Sequence, residues 1–292
     1  MTGCYVRNAG TVGMGNIRTR AEEMELLGSG QHIIENNVFE SHCPYGSYMV
    51  HVGAGATQVI IRNNLFVNFN SNAVQISGDT GVRDLPPENC IITGNSFDMT
   101  AIDAPSKPRT AISVTAPDVT VSDNQIFVRG KADPNVTGIS LRDDAMRLLI
   151  HDNILRGCGT GIVSDYVGGT VGETAGETAF TRLSPEWGGT PSFVRRRSHQ
   201  YRGWRLVWLT EAGKAAAESV IDRFDPESCV FHLCAPYPMK PGLRFRLYNP
   251  DGACWNLHDN TVYGCTDPIR LESYAGRTAH LHDNIVADGF LG

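Results

Sequence analysis

Apolar and polar positions alternate with period two over short runs, and the runs recur at a nearly constant interval. Each recurrence reads apolar-x-apolar, two residues, an asparagine, then a second apolar pair. The contexts are IIENNVF, IIRNNLF, IITGNSF, VTVSDNQIF, LLIHDNIL, WNLHDNTV and AHLHDNIV, around Asn37, Asn64, Asn95, Asn124, Asn153, Asn260 and Asn284. Successive spacings are 27, 31, 29, 29, 107 and 24 residues. A period in the twenties is the mark of a solenoid, in which each repeat buries its apolar face only by stacking on its neighbours.

The repeats read as strands. Their residues are β-branched and apolar, and Gly, Asn, Asp and Pro punctuate them. A second strand follows in most repeats, at Met49–Val52, Val74–Ile76, Ile112–Val114, Ile139–Leu141, Ile162–Ser164 and Ile269–Leu271. A leucine-rich repeat would show one strand and a leucine consensus, which is absent. Two or three short strands per coil, stacked in register, describe an all-β fold, a right-handed parallel β-helix. The asparagine column then has two physical uses. At a tight corner asparagine tolerates a left-handed backbone, and stacked asparagine side chains can hydrogen-bond from coil to coil.

With the asparagine column and the paired strands in hand, the chain resembles the pectate-lyase-like parallel β-helix superfamily over about residues 20–165 and 250–292. That superfamily holds polysaccharide lyases, glycoside hydrolases, epimerases, phage tailspikes and non-catalytic repeats. The resemblance implies an extracellular polysaccharide as partner and a secreted or cell-surface location. The signatures of β-helix polygalacturonases, N-T-D, a D-D pair with G-H-G, and R-I-K, do not occur as a set, which argues against that activity.

The spacing of 107 residues between Asn153 and Asn260 exceeds one coil by about 80. It divides the chain into a first β-helix part at 1–166, an insertion at 167–250 and a continued β-helix at 251–292. The start of the insertion, VGGTVGETAGETAFTRLSPEWGGTPS, is rich in Gly and Thr and reads as a linker or long exposed loop. The rest has strand alternation at Trp204, Leu206 and Trp208, at Val230, Phe231 and Leu233, and at Phe245 and Leu247. Turns fall at FDPES and PMKPG. This predicts a small antiparallel β-barrel-like module. It looks like a module inside other long β-helix proteins, which carries no known catalytic residue. Trp204 and Trp208 share a face with Leu206, so they are expected in the module's core rather than on a sugar platform.

Composition narrows the partners. Charged residues are 19% and hydrophobic ones 41%, as in a globular chain rather than a disordered one. The net charge is −6 and the only basic tract is Arg195–Arg197, so no nucleic-acid partner is expected. No run of about 18 apolar residues predicts a membrane span. The N-terminus lacks a basic-then-apolar leader. Neither end of the repeat array carries an evident polar cap, so a partner chain or a further segment is expected to cover the ends. Of eight cysteines, Cys158 and Cys265 each lie five residues after a ladder asparagine. They are expected in neighbouring rungs, either bridged or as stacked free thiols, the second being favoured.

Chemistry is sought by columns. The residue between two inward positions of the second strand points outward, giving Glu25, His51, Gln75, Ser113, Ser140, Val163 and Arg270. The next outward column is Leu27, Gly53, Ser77, Thr115, Arg142, Asp165 and Glu272. Towards the C-terminal rungs these columns gather Arg142, Asp143, Asp144, Asp165, Arg270 and Glu272, with Tyr166 beside them, at the point where the insertion leaves the chain and can wall a cleft. Crowded carboxylates perturb one another's protonation, and a pair about 5 to 9 Å apart is the machinery of glycoside hydrolysis. Asp165 and Glu272 are the candidate catalytic carboxylates, with Arg142 and Arg270 as anion holders or lyase bases. His51, Gln75, Asp143, Asp144 and Tyr166 are candidate substrate contacts. The same acids suit Ca²⁺ as a cofactor. The lysines, Lys107, Lys131, Lys214 and Lys240, all lie off these columns. A plain ion-pair network between rungs would use the same residues without chemistry. His151, His258 and His282, each followed by Asp, share a corner column and are expected to stack there rather than to bind a metal. Asp123, Asp152, Asp259 and Asp283 are expected to stabilise the turns.

Overall fold

The computed structural model describes residues 2–8, 17–19, 30–41, 49–53, 56–69, 71–77, 87–100, 108–130, 132–141, 145–164, 167–183, 201–225, 228–248, 254–271 and 279–287. These residues form strands and turns only. The chain divides into two compact units, Met1–Asp165 with Ala253–Gly292, and Tyr166–Gly252.

The first unit is a solenoid of three parallel sheets. Each apolar-x-apolar triplet before an asparagine joins one sheet, as in Ile60–Arg62, Val119–Ser122 and Asn256–His258. Each apolar pair after the asparagine joins a second sheet, as in Leu65–Val67, Gln125–Arg129 and Thr261–Tyr263. The third sheet holds Ile17–Thr19, Val50–Val52, Asn72–Ser77, Arg109–Thr115, Asp133–Leu141, Cys158–Ser164 and Asp267–Arg270. In-register pairing turns the sequence period into columns. Ile34, Ile61, Ile92, Val121, Ile150 and Leu257 form one buried column. Phe39, Phe66, Phe97, Ile126, Leu155 and Val262 form another. The three phenylalanine rings stack face to face at 4.9 and 4.8 Å. Each buried side chain of this size stabilises by about 1.5–3 kcal/mol.

The asparagine column is a continuous hydrogen-bonded ladder. The Nδ2 of Asn37, Asn64, Asn95 and Asn124 each donates to the Oδ1 of the next asparagine at 3.0 Å. Asn153 donates to Asn260, and Asn260 to Asn284, both at 2.9 Å. The ladder therefore runs unbroken from Asn153 to Asn260, across 107 residues of chain. The left-handed backbone belongs not to the ladder asparagine but to the residue before it: Asn36, Asn63, Gly94, Asp123, Asp152, Asp259 and Asp283 have φ between 54° and 64°. The two uses expected of one asparagine are split between neighbours, because a side chain committed to the ladder sits on the inner side of a corner that the preceding residue turns.

One column of the third sheet needs small residues. Ala73 and Ala111 are buried in the third sheet, and Gly138 and Gly161 continue their column between the pairs Thr137–Thr160 and Ile139–Ile162. A Cβ on Gly161 would overlap the Pro268 carbonyl and lie 2.7 Å from Val262 Cγ1.

The second unit holds a closed antiparallel barrel. Its strands in spatial order are Val167–Ala175, Ala179–Leu183, Val230–Leu233, Ala215–Asp225, Arg205–Leu209 and Arg244–Tyr248. The Gly/Thr-rich stretch expected as a linker is thus corrected over 167–183, where it forms two barrel strands. Its glycines are strand positions pressed by neighbours. A Cβ on Gly169 would meet the Arg182 side chain at 2.7–3.0 Å, and one on Gly172 the Thr181 Oγ1 at 2.8 Å. Trp204 and Trp208 lie in the core, as their alternation with Leu206 predicts. Trp208 is fully buried, stacks on Tyr237 at 4.6 Å, and donates from Nε1 to Ser219 Oγ at 2.9 Å. Trp208→Ala is expected to destabilise the barrel by about 3–5 kcal/mol. Hydrogen exchange would show the loss in barrel strands with the β-helix strands unchanged, whereas a cost under about 1 kcal/mol would contradict this packing.

Candidate functional site

Pairing in the third sheet aligns Arg18, His51, Gln75, Ser113, Ser140, Val163 and Arg270 on successive rungs. This is the expected column with one correction: its first member is Arg18, and Glu25 lies outside the described residues. The links between the third sheet and the next rung vary in length, with three residues between Thr115 and Val119 and thirteen between Thr19 and Ile33. Spacing alone therefore does not choose between two apolar-polar-apolar triplets.

The middle of this face is closed. His51, Ser113, Thr115, Ser140 and Val163 are all buried, where alternation predicts an open polar surface. Thr115 Oγ1 donates to the Ile76 carbonyl at 3.3 Å. Gln75 is half-buried, and its Oε1 accepts from Asn72 Nδ2 at 2.6 Å. Of the candidate substrate contacts, His51 thus lies beneath the surface and Gln75 partly on it.

The C-terminal rung is open. Arg270 is 58% exposed and pairs with Asp267 of its own strand at 3.2 Å, a solvent-screened contact of little stabilising value. The expected partner, Glu272, lies outside the described residues, as do Arg142, Asp143, Asp144, Asp165 and Tyr166. The strands that lead to them are described. Leu141 pairs with Ser164, and Val163 pairs with Arg270. Arg142 and Asp165 each come one residue after a member of the first pair. Asp165 and Glu272 each come two residues after a member of the second.

Inter-rung ion pairs do occur elsewhere. Arg62 meets Glu35, Arg129 meets Asp98, and Arg147 meets Asp118. Hydrogen bonding from Arg62 holds the Glu35 carboxyl below its ordinary range. The corner histidines stack as expected, His151 on His258 at 5.1 Å and His258 on His282 at 4.9 Å. Each Nδ1 bonds the following aspartate, at 2.6, 2.8 and 2.9 Å. No group of three His, Cys, Asp or Glu side chains among the described residues is arranged to hold a metal ion.

Column reasoning centred on the middle of the second strand missed the sheet's other end. There Arg109 Nη2 donates to Asp133 Oδ2 at 2.6 Å, with the two side chains 0% and 7% exposed. Asp133 pairs with Cys158 on the next rung. Asp133 lies seven residues before Ser140 and Cys158 five before Val163, and a register irregularity between Asp133 and Thr137 makes up the difference, so no fixed offset along the columns brings the two together. Arg109 follows the proline of KPR, with no repeat cue.

Three parallel sheets, an asparagine ladder and columns of stacked side chains define a parallel β-helix. Residues 25–174, just over half of the chain, match the model of the family described as right handed beta helix region, and the chain belongs to that family. No curated protein matches the chain, and no solved structure does. Among the described residues no helix is long and apolar enough to cross a membrane.

Proposed function

We propose that this protein acts on an anionic extracellular polysaccharide held along the C-terminal rungs of the third sheet. The observation that carries this reading is the pairing of Leu141 with Ser164 and of Val163 with Arg270. It starts the segments bearing Arg142, Asp143, Asp144, Asp165, Tyr166 and Glu272 from neighbouring strand ends, beside the open Arg270. Rungs of a parallel sheet are about 4.8 Å apart, so groups one or two rungs apart fall in the separation that carboxylate pairs of glycoside hydrolases use, about 5–9.5 Å. In this reading Asp165 and Glu272 are the acid and its partner. Arg142 and Arg270 clamp uronate carboxylates, which the planar guanidinium suits, or take the proton beside a uronate carboxylate in a lyase. Asp143 and Asp144 contact substrate directly or through Ca²⁺, and Tyr166 supplies an aromatic face. Gln75 would serve a more distant sugar, whereas His51 is buried and would have to become exposed to do so.

A second reading is favoured by the closed middle of the face and by the Asp267–Arg270 pair: a glycan-holding or structural β-helix without turnover. Two variants separate the readings. Arg270→Ala is expected to weaken retention in gels cast with an anionic polysaccharide by about ten- to a hundredfold, in line with about 1.5–3 kcal/mol for a hydrogen bond to a charged group. Asp165→Ala is expected to leave retention intact and lower turnover by about 10²–10⁴-fold. Full turnover in Asp165→Ala would remove the catalytic assignment, and unchanged retention in Arg270→Ala would remove the binding one.

A further inference from the structure

The seven described cysteines are all outside disulfides, and two of them touch. Cys158 is fully buried at the start of Cys158–Ser164. Thr160 pairs with Asp267, so Cys158 and Cys265, each two residues earlier, face one another on adjacent rungs. Neighbouring parallel strands lie about 4.8 Å apart, inside the window of about 4.4–6.8 Å between Cα atoms that a disulfide spans. The two thiols interact directly, with the backbone N–H groups of Cys158 and Gly157 nearby. The Cys265 thiol also donates to the Tyr263 carbonyl at 3.7 Å, and the Gly157 N–H donates to that same carbonyl at 3.2 Å.

The two thiols are unlike. Cys265 is half-buried and Cys158 is not exposed at all. The hydrogen bond from Cys158, helped by the two backbone N–H groups, draws the Cys265 thiol below its ordinary range. Giving that hydrogen bond, together with burial, pushes the Cys158 thiol well up. Burial alone acts in the other direction, as at Cys90, which it pushes to about 12.

We propose that Cys265 and Cys158 form a thiol-exchange site, Cys265 attacking and Cys158 resolving, that takes a small-molecule disulfide as oxidant. The Cys265 thiolate attacks one sulfur of the oxidant, forming a mixed disulfide and expelling the other half as a thiolate. Cys158 then gives its proton to the expelled thiolate and displaces the remaining half from Cys265. The products are the Cys158–Cys265 disulfide and two reduced small thiols, so two protein thiols are oxidised and one disulfide is reduced. The order follows from access, since Cys158 is fully buried and Cys265 is only half-buried. The bond ties the rung before the long excursion of the chain to the rung after it.

Oxidised glutathione is the probe, applied to the full chain and read by peptide mass mapping after alkylation. The wild type is expected to give a linked Cys158–Cys265 peptide, reversed by dithiothreitol, with a thermal midpoint several degrees higher in the linked form. Cys158→Ala is expected to hold one glutathione on Cys265, and Cys265→Ala to leave Cys158 unmodified. Should the alanine variants fail to fold, iodoacetamide labelling of the wild type still decides. Cys265 labelling is expected to rise with a midpoint below the ordinary thiol value, about 8.5. A midpoint at or above that value would overturn the proposal. So would glutathione loading of Cys4, Cys234 or Cys254 while Cys158 and Cys265 stay reduced.

Discussion

Asn124→Ala is expected to destabilise the β-helix by about 3–5 kcal/mol. Asn124 is fully buried in mid-ladder. Its Oδ1 accepts the backbone N–H and the Nδ2 of Asn95, both at 3.0 Å. Its Nδ2 donates to the Ile92 carbonyl at 2.9 Å and to Asn153 Oδ1 at 3.0 Å. Alanine orphans the Asn95 backbone N–H and the Ile92 carbonyl, each at about 1–3 kcal/mol when buried, and leaves a void besides. Aspartate does not rescue the site, because a carboxylate oxygen then faces two acceptors. The same change at Asn284, which is half-buried at the last described rung and whose Nδ2 donates to the Leu257 and His282 carbonyls at 2.8 and 3.1 Å, is expected to cost about 1 kcal/mol. Urea unfolding of both variants is the check, and equal small losses at the two positions would contradict a ladder that carries the fold.

Asp133→Asn is expected to cost about 3–5 kcal/mol, the usual penalty for leaving one partner of a buried ion pair without its counter-charge. Asparagine keeps the Oδ1 that accepts the Asn135 N–H at 2.9 Å, so the loss isolates the charge. Arg109 is wholly buried beside it. Replacing both, as in Arg109→Met with Asp133→Asn, is expected to recover most of the stability, since a buried pair exchanged for apolar volume is often neutral. A double variant as unstable as the sum of the singles would show that the two residues act separately.

The repeat was legible because a corner that recurs must reuse its residues. Seven asparagines in register marked the ladder, and Ile, Val and Phe at alternate positions marked the columns. Three kinds of feature escaped. The left-handed role of Asn36, Gly94 or Asp123 is a backbone property, and three different residue types meet it. The burial of His51 and Ser140 depends on what lies over the sheet, which alternation along one strand does not encode. The barrel strands Val167–Ala175 and Ala179–Leu183 hid behind glycines, because Gly169 and Gly172 are there for lack of room beside Arg182 and Thr181 rather than for flexibility. At the candidate site, the alignment that ends on Arg270 was readable from period two. Its ion pair with Asp267 was not, because the two residues share one strand and no column.

The most direct test of polysaccharide action is a panel of anionic and neutral polysaccharides incubated with the full chain, with and without Ca²⁺, following unsaturated sugar ends by ultraviolet absorbance and new reducing ends chemically. The account predicts product from an anionic polymer. Unsaturated ends would assign Arg142 or Arg270 as base, and saturated reducing ends would assign Asp165 and Glu272. The absence of product from every polymer would contradict it.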